Sequence, residues 1–160
     1  MKKNIILIVS CFMIFASMGF ARAGVSLDTF YTLPGVSLKL ANYEIDNKYS
    51  DYISFGIGFP YGKAELGQQW KIGNAPFRIG VVEGAVTSFI LQGYYIAPSL
   101  QYDISNNFTL SAYIGAMYAN SPFGDAIGSA IINSFTGSNQ NTSISYQWLG
   151  VGGISLSGYF

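Results

Sequence analysis

The chain has 160 residues, half of them hydrophobic and 16% aromatic, with only 10% charged, eight acidic side chains against eight basic ones and no histidine. The missing imidazole removes the commonest general base and metal ligand, and the sparse, balanced charge offers no basic patch to a nucleic acid. A charged share near one tenth also falls far below the roughly one quarter usual in a soluble domain.

Lys2 and Lys3 open the chain, an apolar run covers 5–20, and Ala21-Arg22-Ala23 places small residues where a signal peptidase reads. This pattern predicts a cleaved signal peptide over 1–23 and a mature domain over 24–160. The run is shorter than the roughly 20 residues a membrane-spanning helix needs. Ile8-Val9-Ser10-Cys11 also fits a loose lipobox, and processing there would strand the apolar stretch 12–20 on the mature protein. Cleavage after Ala23 takes Lys2, Lys3 and Arg22, leaving five basic residues against eight acidic ones, a net charge of −3. It also takes Cys11, the single cysteine, and with it any disulfide or thiol nucleophile.

From residue 25 a period of two dominates, which puts alternate side chains on opposite faces of a strand. Val25, Leu27, Thr29 and Tyr31 alternate with Ser26, Asp28, Phe30 and Thr32, and Leu33-Pro34-Gly35 reads as a tight turn. Val36, Leu38 and Leu40 then alternate with Ser37, Lys39 and Ala41 before a polar connection over 44–50. Ile53, Phe55, Ile57 and Phe59 oppose Ser54, Gly56 and Gly58, and Pro60-Tyr61-Gly62 reads as the next turn. Ala64, Leu66, Trp70 and Ile72 lie opposite Lys63, Glu65, Gln69 and Lys71, and Gly73-Asn74-Ala75-Pro76 closes that strand.

Phe77, Ile79 and Val81 alternate with Arg78, Gly80 and Val82, after which 83–91 fits either more strand or an apolar loop. Tyr94, Ile96, Leu100 and Tyr102 oppose Tyr95, Ala97, Ser99 and Gln101, and Ser105-Asn106-Asn107 makes a short turn. Phe108, Leu110, Ala112, Ile114, Ala116 and Tyr118 alternate with Thr109, Ser111, Tyr113 and Gly115. A long connection, 119–143, leads to a terminal strand with Ile144, Tyr146, Trp148, Gly150, Gly152, Ile154, Leu156, Gly158 and Phe160 on one face.

Eight strands near the ~9–11 residues of a tilted membrane strand predict an all-β fold, an eight-stranded antiparallel up-and-down transmembrane β-barrel in the cell outer membrane. An even count places both termini on one side, the periplasm in such barrels. The connection 44–50 and the turns near 74 and 106 then face inward, and 33–35, 60–62, 83–91 and 119–143 face outward. The rival is a soluble periplasmic barrel of the lipocalin kind, or a sandwich, with the same faces reversed. The scarcity of charge on the polar face, and Tyr and Trp near strand ends, favour the membrane version.

The export signal ending at Ala23, the dyad strands, the turn Tyr102-Asp103-Ile104-Ser105-Asn106-Asn107-Phe108 and the C-terminal Phe160 together resemble the small outer-membrane barrels of Gram-negative bacteria. That group includes outer-membrane proteins A and X and the opacity-type proteins. The resemblance is one of pattern and covers nearly the whole mature chain. It implies that Ile154, Leu156 and Phe160 form the signal read by the barrel-assembly machinery, with outer-membrane lipid around the apolar faces.

With lipid outside, the lumen receives Asp28, Lys39, Lys63, Glu65, Gln69, Lys71, Arg78 and Gln101. Both signs are present, so the cluster reads either as a salt-bridged plug or as a narrow polar conduit for small solutes or ions. Lipid A palmitoyltransferases and deacylases resemble this size class, but each relies on a His beside a Ser, and this chain has no His. Asp28, Glu65 and Glu83 have no spacing that pairs two carboxylates. No catalytic, cofactor-binding or metal residue is therefore expected, and the protein is expected not to be an enzyme.

In 119–143, Pro122-Phe123-Gly124-Asp125 fits the start of a short helix with Ile127, Ile131 and Phe135 on one face, followed by a polar tip over 137–142. It reads as contacting an external protein or surface ligand, or as a variable loop. The expected role is structural or surface-interactive, with a narrow channel and a soluble carrier of an apolar ligand as alternatives.

Overall fold

The computed structural model describes residues 22–88, 91–120 and 146–160. Its strands are β1 Arg22–Phe30, β2 Leu33–Asn42, β3 Tyr49–Gly58, β4 Tyr61–Lys71, β5 Phe77–Ser88, β6 Gln92–Ser105, β7 Phe108–Asn120 and β8 Gln147–Tyr159. Each pairs antiparallel with its neighbour in sequence, and β8 returns to β1 to close the barrel. The all-β, eight-stranded antiparallel barrel expected from the alternation is the observed fold.

The register fixes how the strands lean. Val25 pairs with Leu38, and the row of partners continues through Phe55, Ala64, Ala85, Tyr94 and Tyr118 to Trp148 on β8. The β8 residue paired directly with Val25 is Gly158, ten residues further along. A shear of ten across eight strands corresponds to a lean of roughly 40° and a bore only as wide as side chains can fill.

Polarity across the wall is inverted relative to a water-soluble protein. Leu27, Val36, Leu38, Phe55, Ile57, Ile79, Ile96, Leu100, Ile114 and Ile154 point outward and are exposed. Ser26, Asp28, Ser37, Lys39, Ser54, Lys63, Glu65, Gln69, Arg78 and Gln101 are buried inside. Outward aromatics gather in two rows. Tyr49, Trp70, Phe77, Tyr102 and Phe108 lie toward the end holding the described chain ends, with Tyr49–Trp70 and Phe77–Tyr102 centroids 5.7 and 5.0 Å apart. Phe59, Tyr94, Tyr118 and Trp148 lie toward the other end, with Tyr118 and Trp148 at 5.2 Å.

Inside, tyrosines sit against glycines that are their direct cross-strand partners: Tyr52 on Gly67, Tyr95 on Gly84, Tyr113 on Gly153 and Tyr159 on Gly24. A Cβ on Gly67 would lie 2.0 Å from the Tyr52 ring, and one on Gly84 2.4 Å from the Tyr95 ring. Each missing side chain is the space its partner's ring occupies, an aromatic-over-glycine packing that fills a narrow bore without overfilling it.

Several boundaries differ from the sequence expectation. Leu33-Pro34-Gly35 is not a turn but the start of β2, paired with Phe30, Thr29 and Asp28. The turn is Tyr31-Thr32, with Tyr31 in the left-handed region at φ 58°. Pro34 is tolerated near a strand start, where its missing N–H disturbs the ladder least. Tyr31 is held in that costly conformation by its own N–H, which donates to Gly152 O at 2.8 Å, and by its hydroxyl, which donates to Gly150 O. Tyr61 and Gly62 likewise belong to β4, and the turn there is Phe59-Pro60.

β3 begins at Tyr49, inside the expected connection 44–50, and β5 continues to Ser88, so 83–88 is strand. Arg22 and Ala23, the last residues of the expected signal peptide, pair with Ala41 and Leu40 at the start of β1. The rest of that peptide lies outside the described residues. So do Ile144, the helix expected from Pro122 and the polar tip that follows it.

The Tyr52–Gly67 contact predicts that Gly67→Ala lowers the unfolding free energy of the protein by about 1–3 kcal/mol through overpacking. Adding Tyr52→Leu should return most of that loss, as read from urea midpoints.

Candidate functional site

The centre of the lumen is built on β4, where Lys63 and Glu65, two residues apart, share the inner face. The Lys63 ammonium lies 2.9 Å from Asp28 Oδ2 and 3.0 Å from Glu65 Oε1, with all three side chains buried. Each carboxylate has further donors. Ser37 donates to Asp28, and Ser54, the direct cross-strand partner of Glu65, donates to its Oε2 at 3.0 Å. Tyr95 lies across Gly84, which pairs with both residues, and its hydroxyl donates to Glu65 Oε1. A side chain on Gly84 would block that reach. Lys39 donates to Ser157 Oγ at 3.0 Å and sits 4.1 Å from the centroid of the Tyr52 ring, and Ser157 in turn lies 2.8 Å from Ser26 Oγ.

A second cluster closes the end that holds the described chain ends. Arg78, fully buried on β5, donates from Nε to Asp103 Oδ2 at 2.8 Å. Its remaining donors bind the chain between β2 and β3: Nη1 to Asn47 O at 2.8 Å, and Nη2 to Glu44 O at 2.8 Å and Ile45 O at 3.1 Å. Lys71, half-buried at the end of β4, donates to Ile45 O at 2.6 Å. Gln101 completes Asp103 with a 2.9 Å bond to Oδ1.

Tyr43 stacks on Tyr159 at 4.9 Å, with the Arg78 guanidinium 5.2 Å from its ring. Burial, and then the nearby Asp103 charge, push the Tyr43 phenol above its ordinary value. It therefore stays protonated and donates to Ser105 O at 3.3 Å. The loop is drawn across the barrel end by one guanidinium, a planar fork that makes four hydrogen bonds there.

The expected lumen residues thus fall into two groups rather than one. Asp28, Lys63 and Glu65 meet directly, and Arg78 and Gln101 meet through Asp103. Gln69 donates to Ser99 Oγ at 2.9 Å. Lys39 lies beside Ser157, and Lys71 stands at the rim. Sequence reading assigned Asp103 to a turn, although continuing the alternation Ser99, Gln101 by one step places it inside. It also overlooked Tyr43, Tyr52 and Tyr95; the last two each pair with a glycine on a neighbouring strand, Gly67 and Gly84. Ile154, Leu156 and Phe160 lie outward on β8 and its end, exposed, with the Phe160 N–H donating to Ala23 O at 2.9 Å.

The other end of the bore is apolar. Phe30 packs against Tyr61 and Tyr95 at 5.5 and 5.7 Å, and Val86, Met117 and Val151 are buried in the same cluster. The inward cations Lys39, Lys63 and Arg78 equal Asp28, Glu65 and Asp103 in number, and the direct ion pairs join Lys63 to Asp28 and Glu65 and Arg78 to Asp103. No protein-family model, curated protein or solved structure matches the chain.

Lys63→Met would leave two buried carboxylates without their shared cation and should cost about 3–5 kcal/mol of stability. The triple variant with Asp28→Asn and Glu65→Gln should regain most of it. Equal losses in the single and triple variants, measured by urea unfolding, would contradict the shared-cation account.

Proposed function

We propose that this chain is an outer-membrane β-barrel of a Gram-negative bacterium with a structural or surface-interaction role and no catalysis. The carrying observation is the inverted polarity: an ion-paired interior inside a wall of exposed Leu, Ile, Val and aromatic side chains. Exposed apolar area is unfavourable in water by about 25 cal/mol per Å², whereas lipid tails accept it. A closed barrel also pairs its backbone strand to strand, the condition for lying in hydrocarbon.

The aromatic rows support the same reading. Ten residues separate Phe108 from Tyr118 on β7, a rise of about 25 Å along a strand leaning roughly 40°. That equals the apolar belt of about 25 Å typical of membrane barrels, flanked by aromatic girdles. In this setting β8, with Ile154, Leu156 and Phe160 outward, faces the assembly machinery and lipid. Asn120 at the end of β7 and Gln147 at the start of β8 are on the side away from the described chain ends, and the sequence 119–143 is the reading's candidate contact for an external protein or surface ligand.

The test is gel mobility of detergent-extracted protein with and without heating. Two positions are expected, because a closed membrane barrel resists detergent until heated. A single position with the protein in the soluble fraction would reverse the reading in favour of a soluble carrier. Because Lys63 and Arg78 are held in ion pairs with Asp28, Glu65 and Asp103 in a bore filled by side chains, planar bilayers containing the protein should show no steady conductance, and a defined single-channel step would establish a conduit instead.

A further inference from the structure

We infer that Tyr49, Asp51, Gln68 and Trp70, in outward register positions of β3 and β4, bind the primary ammonium headgroup of a phospholipid at the edge of the apolar belt. The inference rests on the membrane reading above.

The four residues form two adjacent rungs of one ladder. Tyr49 pairs directly with Trp70, and Asp51 directly with Gln68. Opposed Cβ atoms in such a pair stand about 4.5–5.5 Å apart, and successive same-face positions about 7 Å apart along the strand. One small cation can therefore reach all four groups. The Tyr49 and Trp70 rings lie 5.7 Å apart at their centroids, tilted 52° to each other, and both are exposed.

Asp51 is the group that calls for a ligand. It is 5% exposed, and its Oδ1 has no hydrogen-bond partner. Its other cross-strand partner is the uncharged Asn42. Among the described residues no Lys or Arg forms an ion pair with it, and none lies over the Tyr49 or Trp70 ring. Lys71, next to Trp70 in sequence, donates to Ile45 O instead. A carboxylate shielded from water is stabilised by a cation that also donates hydrogen bonds, and aromatic faces attract the same cation.

Depth points to the source of that cation. Tyr49 and Trp70 belong to the aromatic row toward the described chain ends, and such rows sit at the level of lipid headgroups. Asp51 lies two residues further along β3, about 5 Å toward the belt on a strand leaning roughly 40°. That is the border between headgroups and hydrocarbon. A primary ammonium has three N–H donors, enough for the Asp51 carboxylate and the Gln68 carbonyl together. A trimethylammonium has none, so an unpartnered carboxylate selects ethanolamine-type headgroups over choline-type ones.

The test uses the protein in detergent micelles with added phosphatidylethanolamine or phosphatidylcholine of identical acyl chains. Retained lipid is counted by native mass spectrometry, and heat mobility is recorded on every sample. Wild type should retain phosphatidylethanolamine and bind phosphatidylcholine about tenfold more weakly, as expected for lost charge-assisted hydrogen bonds. Asp51→Asn should lose most of that preference while keeping the heat shift, and Trp70→Leu should weaken both lipids. Glu83→Gln, which removes the exposed carboxylate of β5, should bind as wild type does.

Heat-shifting wild type that retains the two lipids equally, or Asp51→Asn that keeps the wild-type preference, would overturn the site. Loss of the preference in Glu83→Gln would overturn its assignment to Asp51. Displacement of phosphatidylethanolamine by an equal concentration of free ethanolamine would overturn the lipid in favour of a soluble amine. Loss of the heat shift in wild type would remove the membrane reading itself, a distinguishable failure.

Discussion

Lys63 holds Asp28 and Glu65 at 2.9 and 3.0 Å in a bore no wider than the side chains that fill it. Charge buried at that density is tolerable only when every ion has a counter-ion and its remaining lone pairs have donors. The neighbouring strands supply such donors one by one, with Ser37 on β2, Ser54 on β3 and Tyr95 on β6, and Asp28 Oδ1 is the carboxylate oxygen of the triad left without one. The constraint reaches the backbone as well. Tyr95 touches Glu65 because Gly84, between them in the register, has no side chain. Fold and interior chemistry are therefore one arrangement, and the placement of glycine is part of the electrostatics.

The two ends of the bore are closed by different physics. At the end holding the described chain ends, Arg78 gathers three loop carbonyls and Asp103 into one fork, so a polar loop is tied down by directional bonds. At the other end Phe30, Tyr61, Tyr95, Val86 and Met117 pack as an apolar layer. Directional bonds hold a loop in one place, while apolar packing excludes water from the charges below it. Between them the central triad is sealed from both sides.

Much of this was legible in the residues, and the failures have physical causes. Alternation located eight strands because one face of each meets a different medium from the other, and a period of two survives small errors in the ends. It also put Asp28, Lys39, Lys63, Glu65, Gln69, Arg78 and Gln101 on inner positions. Turn chemistry failed at 33–35, because Pro and Gly advertise a turn in composition whereas the left-handed position is taken by Tyr31, stabilised by contacts with β8 that lie 119 residues away in sequence. Asp103 was missed because it adjoins a genuine turn. The Tyr–Gly pairs were unreadable without the register, since each joins positions that only strand pairing makes neighbours.

The outer wall carries two features of unequal weight. A groove of ≈ 850 Å³ beside the β8–β1 seam is lined chiefly by Leu27, Val36, Ile57, Phe59, Ile154 and Leu156. The seam there has five direct pairs, against eleven between β4 and β5, and is continued by Thr29 and Tyr31 bonding to Ile154 and Gly152. Its lining is apolar, so many apolar contacts suit it equally and its shape alone selects no partner. On the opposite wall Glu83 is exposed on the outer face of β5, with Leu66 and Ile96 as its cross-strand partners. An apolar surface in hydrocarbon carries no information, because every alternative contact is equally good. A polar group there carries a great deal, because few contacts satisfy it. That asymmetry gives Glu83, rather than the larger groove, the greater weight on the outer wall.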